Sequence, residues 1–391
     1  MSSYAAHTDN TPPITTPGHL LANIPGLLGF YPTESVIFMA IDTTPRGSAM
    51  GPIARVDIAD AQEVLPDIAA TLADKACEGI FAFLVSHRPL EELEEISCWL
   101  YNLDRVRDGI DVDAAWYVRE IACGEHYAML HGTVNTDGSG PMKKWVEGTV
   151  PALTDAPTMR SLVDHNVVPE LSREDFFSVF ARGNTHVDAL EAEALARQAR
   201  DSATRLRACV AAATGAKRKE LIDNFLDDVQ WTLSKVTTVE EAAGDVDMLQ
   251  TCAVWLSTTW TRDLVVGECA EAGKEAAHLL LAAARTFDGE IRANALTLFA
   301  LAQLKLDWEI HAGPALQTVA EEFPSHRLGS LLCRAYRYGL HEKIRDTIRS
   351  GAHEAYNTAV GKTGGAPSTA VTPTTPVTSG VPSELARRAA G

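Results

Sequence analysis

The run Val36-Ile37-Phe38-Met39-Ala40-Ile41-Asp42 restricts the possible folds of this chain more than any other stretch. A strand with one wet face alternates apolar and polar residues, whereas a near-continuous apolar run of this length suits a strand covered on both faces. Directly before it, His19 to Leu28 supplies an apolar helical turn or two, which Gly29 and Pro32 interrupt. The segment therefore predicts a short helix leading into the first strand of a buried sheet.

The pattern continues in kind. Pro45 and Gly47 supply turn chemistry, and Ile53 to Ile58 reads as a second strand, which so short a connection makes an antiparallel neighbour. Val64, Leu65, Ile68, Ala69 and Leu72 recur at helical spacing before Gly79, and Ile80 to Val85 is again a buried strand. Pro89 opens a helix through Leu93, Ile96, Leu100 and Val106, whose other face carries Glu91, Glu92, Glu94 and Glu95. Acids beside a helix start suit the positive end of its dipole, so they are read as a solvated face. Ala114 to Glu120 and His126 to Leu130 form a closing hairpin. Residues 19–131 thus predict a mixed α/β domain, and 132–160, rich in Gly and Pro, a loop-rich connection.

From Ser161 only helical periods remain, over 173–182, 188–214, 217–236, 239–260, 271–286, 289–304, 309–323 and 327–349. Residues 161–351 therefore predict an α-helical domain of stacked hairpins. Leu296, Phe299 and Ala300, then Ala312, Leu316 and Val319 ahead of Pro324, are spaced like one degenerate tetratricopeptide hairpin. Residues 1–18 and 352–391 hold too few large apolar groups to offset the entropy of ordering, and predict a disordered leader and tail.

Against 34 Lys and Arg stand 52 Asp and Glu, a formal charge of -18 that disfavours nucleic acid and anionic membrane as partners. Lys217-Arg218-Lys219, followed by Glu220, reads as a solvated helix start. The seven cysteines are scattered, with no Cys-x-x-Cys, as expected of reduced, mostly buried thiols in a cytoplasmic protein. No apolar run is long enough for a spanning helix.

Leu20-Leu21-Ala22-x-Ile24-Pro25-x-Leu27-Leu28-Gly29-Phe30-x-Pro32-x-x-Ser35-Val36 resembles the opening of an actinobacterial family, domain of unknown function 4192. Trp255-Leu256, Ala293-x-Ala295-x-x-Leu298-Phe299-Ala300-Leu301-Ala302 and Pro314-Ala315-Leu316-x-x-Val319 extend the resemblance. It implies an intracellular protein with an α/β half and a helical half, and supplies no activity or functional residues. It also implies a Cys- and Pro-rich turn after the second hairpin. Here that turn reads Gly138-Ser139-Gly140-Pro141-Met142-Lys143-Lys144, without Cys, so no metal or redox role is expected of it.

Ligands of open α/β sheets gather beyond the C-terminal ends of strands. There the strand 80–85 is followed by Ser86, His87, Arg88 and Pro89, a hydroxyl, an imidazole, a guanidinium and a helix start that suit a phosphate or carboxylate. Arg55 and Asp57 share one strand face, expected to be exposed, and Thr33-Glu34-Ser35 is expected to shape a turn. Gly138-Ser139-Gly140 lacks the strand, lysine and helix of a phosphate loop. His126, His131 and His165 lack a third ligand at regular spacing, and Trp255 and Trp260 point to different faces of one helix. With no catalytic constellation, cofactor motif or metal site in view, the leading expectation is a non-enzymatic protein-binding or scaffold protein acting through its helical domain. The alternative is a small-molecule-binding enzyme or sensor with its anionic ligand at Ser86, His87 and Arg88.

Overall fold

The computed structural model describes residues 15–44, 47–73, 79–132, 143–164, 167–305 and 309–361. Helix α1 (Pro17–Leu28) starts inside the segment read as a leader: the Thr16 hydroxyl accepts from the His19 amide, and Pro17 occupies the first turn. The remainder of that leader, 1–14, lies outside the described residues.

In chain order there follow β1 (Ser35–Thr44), β2 (Gly47–Asp57), α2 (Leu65–Ala73), β3 (Gly79–Val85), α3 (Glu94–Tyr101), α4 (Arg105–Asp108), β4 (Ala114–Val118) and β5 (His126–Gly132). Then come α5 (Lys143–Val146), β6 (Glu147–Thr149) and α6 (Pro157–Asp164). The strands form one six-stranded sheet in the order β2-β1-β3-β4-β5-β6. Only β3 and β4, joined through α3, are parallel. β1 runs antiparallel to both its neighbours, and it is apolar on both faces because helices cover both sides of the sheet there. Its even residues Val36, Phe38 and Ala40 pack with Ile68 and Leu72 of α2 and Ile96 and Leu100 of α3. Its odd residues Ile37 and Met39 pack with Leu21 and Ile24 of α1 and Met159 and Leu162 of α6. Each such large apolar side chain contributes about 1.5–3 kcal/mol by leaving water. The glutamates of 91–95 are exposed, as their dipole-matched placement predicts.

The stretch expected to be a loop-rich connection carries β6 and α6. A three-residue strand centred on Gly148 is too short to display alternation, so sequence patterning misses it. Helix α6 sits against α1 where Gly26 allows it: a Cβ there would lie 2.4 Å from the Thr158 Oγ1. Thr158 Oγ1 in turn donates to the Asn23 carbonyl at 2.8 Å.

The second half comprises α7 (Arg173–Ser178), α8 (Ala189–Ala212), α9 (Gly215–Leu233), α10 (Val239–Gly244), α11 (Val246–Leu256) and α12 (Thr259–Ala272). It continues with α13 (Lys274–Thr286), α14 (Gly289–Lys305), α15 (Ala312–Glu322), α16 (Arg327–Arg337) and α17 (His341–Val360). The hairpins α13–α14 and α14–α15 share α14, which is buried around its whole circumference, from Ile291 and Ala293 to Phe299, Ala302 and Leu304. Trp255 joins this core, and Trp260 packs in a smaller cluster with Val210, Ile222 and Leu264.

Several helix boundaries differ from expectation. The period over 239–260 is cut twice, where the Asp245 side chain accepts from the Met248 amide and the Thr258 side chain from the Thr261 amide, each starting a new helix. The period over 327–349 is broken at Gly339, whose φ of 65° ends α16. Residues 352–360, read as tail, continue α17 because Tyr356, Ala359 and Val360 cover the Val210 cluster; 362–391 lie outside the described residues. Of the six described cysteines, Cys98, Cys123 and Cys209 are exposed rather than buried, and none is in a disulfide.

Candidate functional site

Ser86, His87 and Arg88 do converge on a carboxylate, and it is the chain's own. Glu34 Oε1 accepts from Ser86 Oγ at 2.8 Å and from the His87 amide at 3.0 Å, and Glu34 Oε2 accepts from Arg88 Nε at 2.9 Å. To reach them Glu34 takes a φ of 43°, the left-handed region, and it is the one described non-glycine residue that does so. Desolvation works to raise the Glu34 carboxyl pKa, but the hydrogen bonds from Ser86, His87 and Arg88 and the Arg88 charge outweigh it and hold the group below its ordinary value. The Tyr117 hydroxyl fastens the same loop by donating to the Ser86 and Arg88 carbonyls. Thr33-Glu34-Ser35 is thus a turn, and its carboxylate fills the place foreseen for an external anion. Among the described residues His126 and His131 belong to no group of three metal-ligating side chains. His165 and Gly138-Ser139-Gly140 lie outside the described residues.

A second constellation lies where the halves meet. Gly29 ends α1 with a φ of 84°, and a Cβ there would stand 2.6 Å from the Phe176 ring. That close approach puts Phe30 against Phe176, ring centroids 5.8 Å apart, and Phe176 stacks on His311 at 5.0 Å. The backbone closes the same joint, the Tyr31 amide donating to Glu170 and the Glu170 amide to Gly29.

Beside this joint two adjoining cavities, of about 360 and 610 Å³, separate β2 from α7, α15 and α16. Both odd and even residues of β2 line them, Ile53 and Arg55 with Ala54 and Val56. They therefore run along its free edge rather than over one sheet face. The first cavity has a floor of Leu28, Phe30, Ile53, Phe177 and Ile310 and three guanidiniums, Arg55, Arg173 and Arg337, with no carboxylate among the described residues of its lining. Asp57, Asp60 and Asp67 line the second, with Arg334. Arg55, Arg173, Arg337 and Gln317 line both.

Arg55, expected to be exposed, keeps 11% of its side-chain surface, because the helical half covers this edge. Its guanidinium pairs with Asp57 at 2.7 Å, donates to Ser35 Oγ at 2.8 Å and lies 5.9 Å from the Phe30 centroid. Arg173 sits 4.5 Å from the Phe177 centroid. Among the described residues neither Arg173 nor Arg337 has an ion pair. Cys333 also faces the first cavity, and burial pushes its thiol up, so it stays protonated near neutral pH and is a poor nucleophile.

His311 makes this joint sensitive to acid. Burial lowers its pKa to about 4, below the roughly 6.5 of an unfolded chain. Between those values the unfolded state binds more protons, so stability is complete above about pH 6.5 and falls as the pH drops towards 4. Urea unfolding at pH 7.5 and 4.5 is expected to show a loss of the order of 2 kcal/mol from this group. His326, lowered by burial and by Arg262, adds in the same direction. His311→Phe should flatten the dependence; an unchanged slope in that variant assigns it elsewhere.

These features define a two-part protein, a mixed α/β sheet half and a helical half with a cationic cleft between them. The family model described as Domain of unknown function (DUF4192) matches residues 17–343, most of the chain, and the chain belongs to that family. No curated protein and no solved structure matches it.

Proposed function

We propose that this chain is a binding protein for an anionic organic ligand, held in the cleft between its halves. The observation that carries the reading is the first cavity, whose described lining holds Arg173 and Arg337 without ion pairs beside Arg55, and no carboxylate, in a chain whose formal charge is -18. Arginine forks placed on aromatic rings beside an apolar floor suit phosphate or carboxylate groups on a flat or apolar body. The volume is that of a small-molecule site.

This keeps the anionic-ligand alternative and moves it away from Ser86, His87 and Arg88, whose donors Glu34 engages. The protein-partner reading, which rests on the helical series and on the lack of a catalytic constellation in the sequence, finds exposed apolar side chains such as Leu190, Trp231 and Leu331 on three different helices. Scattered apolar residues of that kind need no partner. A cytoplasmic setting accords with six unpaired cysteines, and no helix among the described residues is long and apolar enough to cross a membrane.

The test is a thermal-shift screen of the full chain against inorganic diphosphate, ADP and coenzyme A, followed by titration calorimetry. A ligand at about 100 times its Kd adds roughly 2.7 kcal/mol to the state that binds it. Arg173→Ala or Arg337→Ala should each weaken binding by about tenfold to a hundredfold, the loss of one charged hydrogen-bond partner. If no anion stabilises the chain, or both variants bind as well as the wild type, the proposal fails.

A further inference from the structure

Resting on that reading, we infer that the cleft takes a diphosphate ester that joins a flat apolar group to a hydroxyl- or amine-rich group. The inference comes from the order of linings along the edge of β2. The apolar floor of Phe30, Ile53 and Phe177 lies on one side, and Asp57, Asp60 and Asp67 on the other. Arg55, Arg173 and Arg337 border both cavities.

A single carboxylate matches one guanidinium fork, whereas two linked phosphates present enough oxygens and charge to engage several arginines together. The diphosphate therefore belongs at the junction. A flat group extending from it into the first cavity lies over the rings on which Arg55 and Arg173 already rest. On the other side, carboxylates accept hydrogen bonds and repel further phosphate, so they suit hydroxyls or an amine. Asp60 is the group free for this: it is exposed, and its carboxylate has no hydrogen-bond or ion-pair partner among the described residues. Asp57, by contrast, is engaged with Arg55. Gln317, shared by the two cavities, adds a neutral amide able to donate and accept at the junction.

Calorimetry on the full chain with inorganic diphosphate, ADP and ADP-ribose tests this, because each probe adds one of the three parts. Affinity should rise along the series, with ADP-ribose at least tenfold tighter than ADP. Asp60→Ala, which removes the acceptor oxygens, should abolish that last step while the gain from diphosphate to ADP persists; the Asp60 backbone carbonyl, which accepts from Glu63 and Val64, is untouched by the substitution. ADP-ribose binding no tighter than ADP overturns the three-part ligand while leaving the anion-binding reading standing. So does a tenfold gain that survives in Asp60→Ala. Failure of all three probes, together with coenzyme A, removes the reading itself.

Discussion

Phe176→Ala lowers the stability of the chain by about 3–5 kcal/mol, the usual cost of emptying a well-packed aromatic site. Phe176 retains 2% of its surface, and its ring is the common neighbour of Gly29, Phe30, Phe177 and His311. Those residues come from the end of α1, from α7 and from the turn before α15, so the lost contacts are the ones that hold the two halves in register. Denaturant unfolding followed by both near-ultraviolet and far-ultraviolet circular dichroism should show an earlier and broader transition. The two probes should no longer coincide, as expected when halves begin to unfold separately. Phe176→Leu, which keeps most of the volume, should lose much less. A loss under 1 kcal/mol in the alanine variant would mean that the joint is held elsewhere, for instance by the backbone bonds between Gly29, Tyr31 and Glu170.

Glu322→Ala is expected to cost nearly as much, about 3 kcal/mol. Arg292 on α14 keeps 2% of its side-chain surface and gives two parallel hydrogen bonds of 2.6 Å to the Glu322 carboxylate, with a third to the Ala284 carbonyl. Removing the carboxylate leaves a guanidinium in the core with one partner. The estimate sits at the low end for a buried pair because Glu322 itself is 41% exposed, so water supplies some compensation. Adding Arg292→Leu to Glu322→Ala should restore a large part of the loss, since it removes the stranded charge. The four members of that double-mutant cycle, compared by urea unfolding, check the assignment. If the double variant is less stable than Glu322→Ala alone, then Arg292 stabilises the core by packing more than by pairing.

Much of the sheet is legible in sequence because burial on both faces writes itself as a continuous run. Val36 to Ile41 and Ile80 to Val85 are adjacent strands in the middle of the sheet. Elements whose signal is shorter than one period escape, as β6 does, and so do capped breaks in a long apolar helix pattern, as at Asp245 and Thr258. The cleft is illegible for a different reason. Arg173 and Arg337 carry no local pattern: they meet beside Arg55 only because α7 and α16 are brought to the edge of β2. Ser86, His87 and Arg88 were recognisable as donors for an anion. That Glu34 is the anion follows from pairing β1 with β3, which sets Ser35 opposite Val85 and so brings the residue before β1 beside the residue after β3.

The position of β2 at the margin of the sheet bears on how the protein is made. A long unpaired strand edge is a template on which other chains can add. Here the far wall of the cavities beside that edge is built by Gly313, Gln317, Tyr336 and Arg337, from the last quarter of the chain. Synthesis runs from the N-terminus, and domains generally fold as they emerge. The sheet half therefore leaves the ribosome with this margin uncovered, and it stays so while some 150 further residues are added, Phe176 and Arg173 among the first of them. Pro52, which lacks an amide hydrogen, and the charged Arg55 and Asp57 interrupt that margin, so residues that shape the cleft in the finished protein are also of the kinds that discourage strand addition at an open edge.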